Sequence, residues 1–80
     1  MDRLGSAKRV AGAKQTKNVI ISGNAALVYT ACDANPSMIQ EISDLCAEYG
    51  VEVVSDCSMK ELAKACRIDV PCAAAAVLKD

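Results

Sequence analysis

The sequence predicts an α/β domain in which helices cover both faces of a central sheet. Apolar runs of strand type alternate along the chain with segments of helical periodicity, an order typical of this class. The 80 residues, 52% of them hydrophobic, suit one small globular domain spanning residues 1–80. The chain has no Phe or Trp, so Ala, Val, Ile, Leu and Met must form the core.

The first part of the chain predicts a strand, a helix and a second strand. Residues 2–7 suit either a short helix or a loosely ordered arm, and residues 8–12 form a short strand that ends at a glycine. Residues 14–22 carry Val, Ile and Ile on a helix that Gly23 closes. Residues 25–32 (AALVYTAC) are apolar and β-branched, which predicts a buried strand.

A turn then leads into the longest predicted helix. Asn35 is a good N-cap and Pro36 suits the first helical position, while Gly50 ends the helix after Tyr49. Residues 51–55 follow as a strand. Apolar positions at a three-four spacing predict one buried face of this helix: Ile39, Ile42, Leu45 and Cys46.

The last part of the chain predicts a capped helix, a loop and a final strand. Ser58 and Glu61 have the spacing of a capping box. Residues 67–72 form a loop that contains a proline, and residues 73–78 are an alanine-rich strand that lets helices approach closely. The direction of each strand stays open at this point. The inner side of the helix is predicted from three residues: Leu62, Ala65 and Cys66.

Charge is distributed unevenly along the chain. Residues 1–18 hold five basic residues and one acidic residue, whereas residues 19–80 hold four basic and nine acidic residues. The overall net charge is −1. A basic start on an acidic body suits an anionic partner, although a solvated lysine-rich segment would look the same.

The cysteines indicate free thiols rather than a metal site or a disulfide framework. Their number is odd, no C-x-x-C pair occurs, and the chain has no histidine. We expect a cytoplasmic protein without cofactor or metal, whose thiols act mostly as small core residues. No segment suits a signal peptide or a membrane span. The five cysteines are Cys32, Cys46, Cys57, Cys66 and Cys72.

Few features suggest catalysis. The chain lacks a phosphate-loop signature and a nucleophile motif, and Asp33 is better explained as a helix cap than as an acid or base. A reactive thiol at Cys66 or Cys72, close to Arg67, is the one enzymatic alternative. No residue that could act as its base is visible, so we expect a protein that is not an enzyme.

The segment Gly12-Ala13-Lys14-Gln15-Thr16 is the most informative motif. A glycine turn leads directly into a helix whose first turn carries a cation and an amide. Backbone N–H groups, a positive charge and a group that both donates and accepts hydrogen bonds therefore meet at one exposed point. Such a point suits a phosphate, or a base edge beside one.

Four stretches of the chain are informative together: GAKQT at 12–16, CDANP at 32–36, SMKELAKAC at 58–66 and IDVPCAAAAV at 68–77. In this order and spacing they resemble the ribosomal protein L7Ae family, and in particular its short bacterial members. The resemblance covers nearly the full length of the chain. It implies a three-layer α/β/α sandwich with a mixed four-stranded sheet, and binding of kink-turn or kink-loop RNA, with rRNA and mRNA leaders as candidate targets.

The resemblance also implies which residues meet the RNA. The glycine turn and first helical turn would reach the tandem sheared G·A pairs of the kink, and the loop before the last strand would support a flipped-out nucleotide. The first group comprises Gly12, Lys14, Gln15 and Asn18, and the second comprises Ile68, Asp69 and Val70. We expect a monomer that needs no partner other than RNA and no membrane.

This chain departs from the family pattern at three positions. Asn18 stands where the family usually has lysine, Arg67 where it commonly has glycine, and Ala13 where it commonly has threonine. Lys17 lies next to Asn18 but points elsewhere on a helix, since adjacent residues diverge by about 100°. Arg67 either strains the helix end or supplies a phosphate contact. The alternative function is therefore a family member with weakened RNA binding that acts as a protein-interaction scaffold.

Overall fold

The computed structural model describes residues 8–69 and 71–79, and the predicted alternation of strands and helices is confirmed there. Element ends differ from the predicted ones by two residues at most. The predicted helix or arm at residues 2–7 lies outside the described residues. The elements are β1 (Arg9–Ala11), α1 (Ala13–Ile21), β2 (Ala25–Ala31), α2 (Pro36–Tyr49), β3 (Glu52–Cys57), α3 (Met59–Cys66) and β4 (Ala74–Leu78).

The four strands form one mixed sheet in the order β1-β4-β2-β3. The last strand of the chain lies between the first two and is antiparallel to both, while β2 and β3 are parallel. Consequently β1, β2 and β3 all run in one direction, and only β4 runs in the other. The end of the sheet at which β1, β2 and β3 end and β4 begins is called the carboxyl end below.

Helices cover both faces of the sheet, which makes the predicted three-layer sandwich. On one face α1 and α2 contribute the buried side chains Ile20, Ile42 and Cys46 to one core cluster. On the other face α3 contributes Leu62 and Cys66 to a second cluster. The two clusters are separated by the sheet and share its central strands.

The inner side of α3 differs in one residue from the prediction. Ala63 is buried, whereas Ala65 is only partly buried at the edge of the cluster. Both residues are alanine, so hydrophobicity alone does not distinguish them. The orientation of the helix over the sheet decides which one faces inward.

Strand β4 allows the three layers to pack closely. Its residues Ala74, Ala75 and Ala76 are fully buried and alternate between the two faces of the sheet. A methyl group is the smallest side chain that still removes apolar surface from water. Larger residues here would push the helices away from the sheet, because protein interiors leave little free volume.

Two helices begin with the side-chain caps that the sequence predicts. The Asn35 side chain accepts hydrogen bonds from the backbone N–H groups of Ser37 and Met38. Ser58 and Glu61 form both halves of the capping box on α3. Each cap satisfies N–H groups that have no partner within the helix.

Helix α3 ends in a left-handed residue, as its sequence suggests. Arg67 has φ 60° and ψ 43°, the only positive φ at a non-glycine position among the described residues. The Ile68 N–H donates to the carbonyl of Ala63 and the Arg67 N–H to that of Lys64, both at 3.1 Å. These are the two hydrogen bonds of a Schellman motif, which normally ends in glycine.

Replacing Arg67 by glycine should therefore stabilise the fold. We expect Arg67→Gly to raise the free energy of unfolding by a few tenths to about 1 kcal/mol, because glycine adopts this backbone conformation without steric cost. Urea denaturation measures the change.

Gly50 provides the matched control. It ends α2 with φ 69°, and nothing lies within 4 Å of the position that a Cβ atom would take. Gly50→Ala should therefore lower the free energy of unfolding by about 1 kcal/mol through backbone strain alone. A lower stability of Arg67→Gly would show that the Arg67 side chain makes a contact that outweighs its strain.

Candidate nucleic-acid interface

The starts of all three described helices lie at the carboxyl end of the sheet, because each follows one of the three strands that run in the same direction. Two of these starts are closed by side chains. Asp33 closes α3 further, since its Oδ1 atom accepts the Met59 N–H at 2.8 Å. The expectation that Asp33 acts as a cap is confirmed, although it caps α3 and not the helix that follows it in sequence.

The start of α1 is open. Gly12 is its N-cap and offers no side chain, and the first turn carries no acidic residue. The first N–H groups of a helix have no intrahelical acceptor, and the helix dipole makes this end positive. Among the three described helices, α1 is thus the one whose start has no side-chain cap, so the N–H groups of its first turn remain available to a partner.

Gly12 is required by its backbone and by its neighbour. Its φ of 109° and ψ of 148° are available to glycine and strained in other residues. The Gln15 Oε1 atom lies 2.8 Å from the position that a Cβ atom on Gly12 would take. The glycine therefore lets the Gln15 amide fold back over the turn at the helix start.

Three predicted site residues share the exposed side of α1. Lys14, Gln15 and Asn18 are exposed, whereas Thr16 and Ile20 are buried on the opposite side. Residues three and four apart lie on the same face of a helix. A cation, an amide and a second amide therefore form one small surface at the carboxyl end of the sheet.

Lys17 does not belong to this surface. Its Nζ atom lies 3.0 Å from Oε1 of Glu41 on α2, and the Lys17 side chain is 29% exposed. The ion pair directs Lys17 towards α2, which confirms that this lysine diverges from Asn18. It does not supply the charge that a lysine at position 18 would bring.

The loop after α3 returns to the same end of the sheet. The Cys72 N–H donates to the Met59 carbonyl at 3.3 Å, and the Gly12 N–H donates to the Ala74 carbonyl at 2.8 Å. The end of the loop thus lies between the start of α3 and the glycine turn. Ile68 is partly buried and Asp69 is exposed.

The structure brings some predicted site residues together and places Arg67, with Ile68 beside it, at the other end of α3. Gly12, Lys14 and Gln15 lie at the carboxyl end, whereas the exposed Arg67 lies at the C-terminus of α3. A helix of eight residues is about 12 Å long, so Arg67 stands apart from the first turn of α1. Val70 lies outside the described residues.

Arg9 has a structural role that the sequence analysis does not predict. Its Nη2 atom donates to the Cys66 carbonyl at 3.0 Å and joins β1 to the last turn of α3. A guanidinium there also compensates the negative end of the helix dipole. The two residues are 57 positions apart in the sequence, so no local sequence pattern predicts this contact.

The thiols have the environment of core residues. Cys46, Cys57, Cys66 and Cys72 are buried and Cys32 is exposed, which confirms that most of them act as small core side chains. Burial raises the pKa of Cys46 and of Cys66, and the neighbouring Cys72 raises that of Cys66 further. Thiolate is the reactive form, so the surroundings of Cys66 oppose the reactive-thiol alternative.

Two features that residues 8–69 and 71–79 lack bear on function. No group of three or more His, Cys, Asp or Glu side chains within these ranges could hold a metal ion. None of their helices has both the length and the hydrophobicity that crossing a membrane requires.

Comparison with known proteins identifies relatives. Residues 3–80 match the ribosomal protein L7Ae/L30e/S12e/Gadd45 family. An RNA-binding protein of Caldanaerobacter subterraneus subsp. tengcongensis is 44% identical over 69 residues, which cover 86% of this chain and 84% of that protein. The large ribosomal subunit protein eL8 of Halobacterium salinarum is 39% identical over 75 residues, covering 92% of this chain and 61% of eL8.

A solved structure has the same fold. The 15.5 kD RNA-binding protein of Giardia lamblia superposes with a TM-score of 0.84 at 30% sequence identity. The superposition covers 90% of this chain and 61% of the Giardia chain. The sandwich with a mixed four-stranded sheet is thus a fold that this chain shares with the Giardia protein.

The buried thiols lead to a test of reactivity and alkaline stability. We expect one thiol per chain, that of Cys32, to react rapidly with a disulfide reagent at pH 8, and all five to react after denaturation. Burial and Asp56 raise the pKa of Cys57 from 9.0 to about 11. The folded chain thus favours the protonated thiol, so this contribution to stability should be full below the ordinary pKa and lost as pH rises towards 11.

Thiol titration and urea denaturation across this pH range provide the measurements. A Cys57→Ala variant serves as the control, since its alkaline loss of stability should be smaller. Rapid reaction of two or more thiols in the folded protein would contradict the assignment of four buried cysteines.

Proposed function

The chain belongs to the ribosomal protein L7Ae/L30e/S12e/Gadd45 family, and we propose that it is a non-enzymatic RNA-binding protein that recognises kink-turn or kink-loop RNA. The observation that carries the proposal is the open start of α1, where Gly12 leaves the first turn uncapped and Lys14 and Gln15 are exposed. The names of the relatives support RNA as the class of partner.

Kinked RNA suits this surface chemically. An ordinary A-form helix has a deep, narrow major groove, whereas a kink exposes base edges that side chains can reach. The Gln15 amide can donate to and accept from one base edge, and the free N–H groups of the first turn can bind phosphate. Lys14 adds positive charge where two backbones of the RNA come close together.

The loop after α3 provides the second proposed contact. We propose that Ile68, Asp69 and Val70 support an unstacked nucleotide through apolar contact. An aromatic stacking platform is not available for this purpose. Tyr29 is 5% exposed within the core, and Tyr49 lies at the far end of α2 from the carboxyl end of the sheet.

The remaining proposals follow from the sequence and the family. We propose that residues 1–80 act as one domain and one monomer in the cytoplasm, and that Arg67 contacts phosphate outside the first-turn surface. Both rRNA and mRNA leaders remain candidate targets.

Two observations favour the alternative, a scaffold with weakened RNA binding. Asn18 carries no charge, and the Lys17–Glu41 ion pair turns the neighbouring lysine away. The chain is also acidic overall, with an isoelectric point of about 5.3. Titration with a kink-turn RNA and an unkinked duplex at several salt concentrations separates the two functions.

The central prediction concerns the first turn of α1. Gln15→Ala should cost about 1–3 kcal/mol of binding free energy on a kink-turn RNA and little on an unkinked duplex, because the amide reads base edges. Lys14→Ala should weaken binding to both RNAs and flatten the salt dependence, because it contributes charge. Paired titrations measure both effects.

Thermal unfolding provides the control, since both side chains are exposed and should matter little to stability. If both variants stay folded and bind like the unmodified protein, the first turn of α1 is not the RNA-binding site. If the unmodified protein does not prefer the kinked RNA, the scaffold function replaces the proposed one.

Asn18 allows a gain of function to be predicted. Asn18→Lys should tighten kink-turn binding and steepen the salt dependence by up to about one phosphate contact, since Asn18 shares the exposed side of Lys14. Binding titrations over a range of salt concentrations measure both quantities.

Ile21→Lys is the matched control. It adds the same charge to the same helix at a side chain that is 53% exposed, but at the opposite end from the first turn. Equal tightening by both variants would mean that net charge alone causes the effect and that position 18 does not face the RNA.

A further inference from the structure

A groove lies between α3 and the loop that follows it, outside the surface at the start of α1. Its volume is about 610 Å³. Since the loop returns from the C-terminus of α3 to the carbonyl of Met59, it runs alongside the helix and forms the second wall. The groove is lined by Lys60, Ala63 and Lys64 from α3 and by Ile68, Asp69 and Pro71 from the loop.

The groove combines apolar and cationic groups. Ala63 is buried and Ile68 is partly buried, so both present apolar surface at its base. Lys60 and Lys64 are exposed and one helical turn apart, which places their Cβ atoms about 6 Å from each other. The lining therefore has a row of positive charge beside an apolar strip.

Neither of these two lysines forms an ion pair with another described residue, and only Lys64, in the last turn of α3, is favoured by the helix dipole. In the described part of the chain, the only salt bridge joins Lys17 and Glu41. Lys60 stands in the first turn of α3, where the helix dipole disfavours a cation. Neither ion pairing nor helix stabilisation explains its charge, which is left for a partner.

The chemistry of the groove selects a polyanion that also carries apolar and hydrogen-bonding groups. Phosphates of a nucleic-acid strand can meet the lysine row, while a base or ribose lies over Ala63, Ile68 and Pro71. Asp69 can accept a hydrogen bond from a ribose hydroxyl or a base amino group. The volume suits one or two nucleotides and is too small for a duplex.

We propose that this groove binds a single-stranded segment of the RNA that continues beyond the kink. The inference rests on the proposed function and extends its footprint, since Ile68 and Asp69 belong both to the groove and to the loop surface proposed above. Lys60 and Lys64 contact two successive phosphates. The groove thereby favours kinked RNAs that carry an unpaired flank over those with blunt stems.

The test uses the full chain and four RNAs. They are a blunt kink turn, the same kink turn with a four-uridine extension at the 5′ or the 3′ end, and an extended unkinked duplex. The variant is Lys60→Gln with Lys64→Gln, which removes charge but keeps side-chain length. Lys79→Gln is the matched control, because Lys79 is exposed and its N–H bonds to Asn24 at the opposite end of the sheet.

We expect one of the two extensions to tighten binding by the unmodified chain at least about fivefold. The double variant should lose this gain, with a salt slope flatter by about 1.4, the value for two single-strand phosphates. It should bind the blunt kink turn normally and melt at the same temperature. Lys79→Gln should behave like the unmodified chain on every RNA.

Three results would overturn the inference. The first is that neither extension tightens binding, and the second is that the double variant keeps the gain from the extension. The third is that the double variant weakens binding of the blunt and the extended kink turns equally. Binding of a labelled oligoglutamate that the double variant abolishes, with RNA binding unchanged, would assign the groove to an acidic protein segment instead. Preference for an extended kink turn over the extended unkinked duplex reports the proposed function separately, so either hypothesis can fail alone.

Discussion

The insertion of β4 between β1 and β2 is the constraint on which the rest of this structure depends. It makes β1, β2 and β3 run in one direction, so that the three described helices all begin at one end of the sheet. It also sets the Gly12 N–H against the Ala74 carbonyl, which fixes the glycine turn beside the end of the loop. The buried alanines of β4 make the insertion possible, because they leave room for helices on both faces.

The way each helix start is satisfied then decides where a ligand can bind. Asn35, Ser58 and Asp33 accept hydrogen bonds from backbone N–H groups at the starts of α2 and α3. Glycine at the start of α1 leaves its donors free and lets the Gln15 amide lie over the turn. A partner at this point meets unsatisfied hydrogen-bond donors, a positive helix end and a lysine together. This asymmetry among otherwise similar helix starts is the physical basis of the proposed RNA contact.

Contacts within the fold also determine which of the basic residues remain available to a partner. Two of the five basic residues in the first 18 are used within the chain, since Arg9 bonds to the end of α3 and Lys17 pairs with Glu41. Lys14 remains exposed at the start of α1, and Lys60 and Lys64 line the groove beside the loop. Exposed cationic groups therefore remain at the start of α1 and along the groove although the net charge is −1. The local arrangement of charge, and not its total, allows an acidic chain to be proposed as an RNA-binding protein.

The sequence by itself determined the features that depend on near neighbours. Caps, glycine stops, the left-handed Arg67 and the alternation of strands and helices act over a few residues, so local patterns predict them. Only the tertiary structure decided the strand order, the choice of Ala63 over Ala65 as the buried residue, and the contacts of Arg9, Lys17 and Asp33. These contacts join residues 57, 24 and 26 positions apart. Side chains so distant in sequence meet only after the layers have packed, and their partners therefore leave no trace in local periodicity.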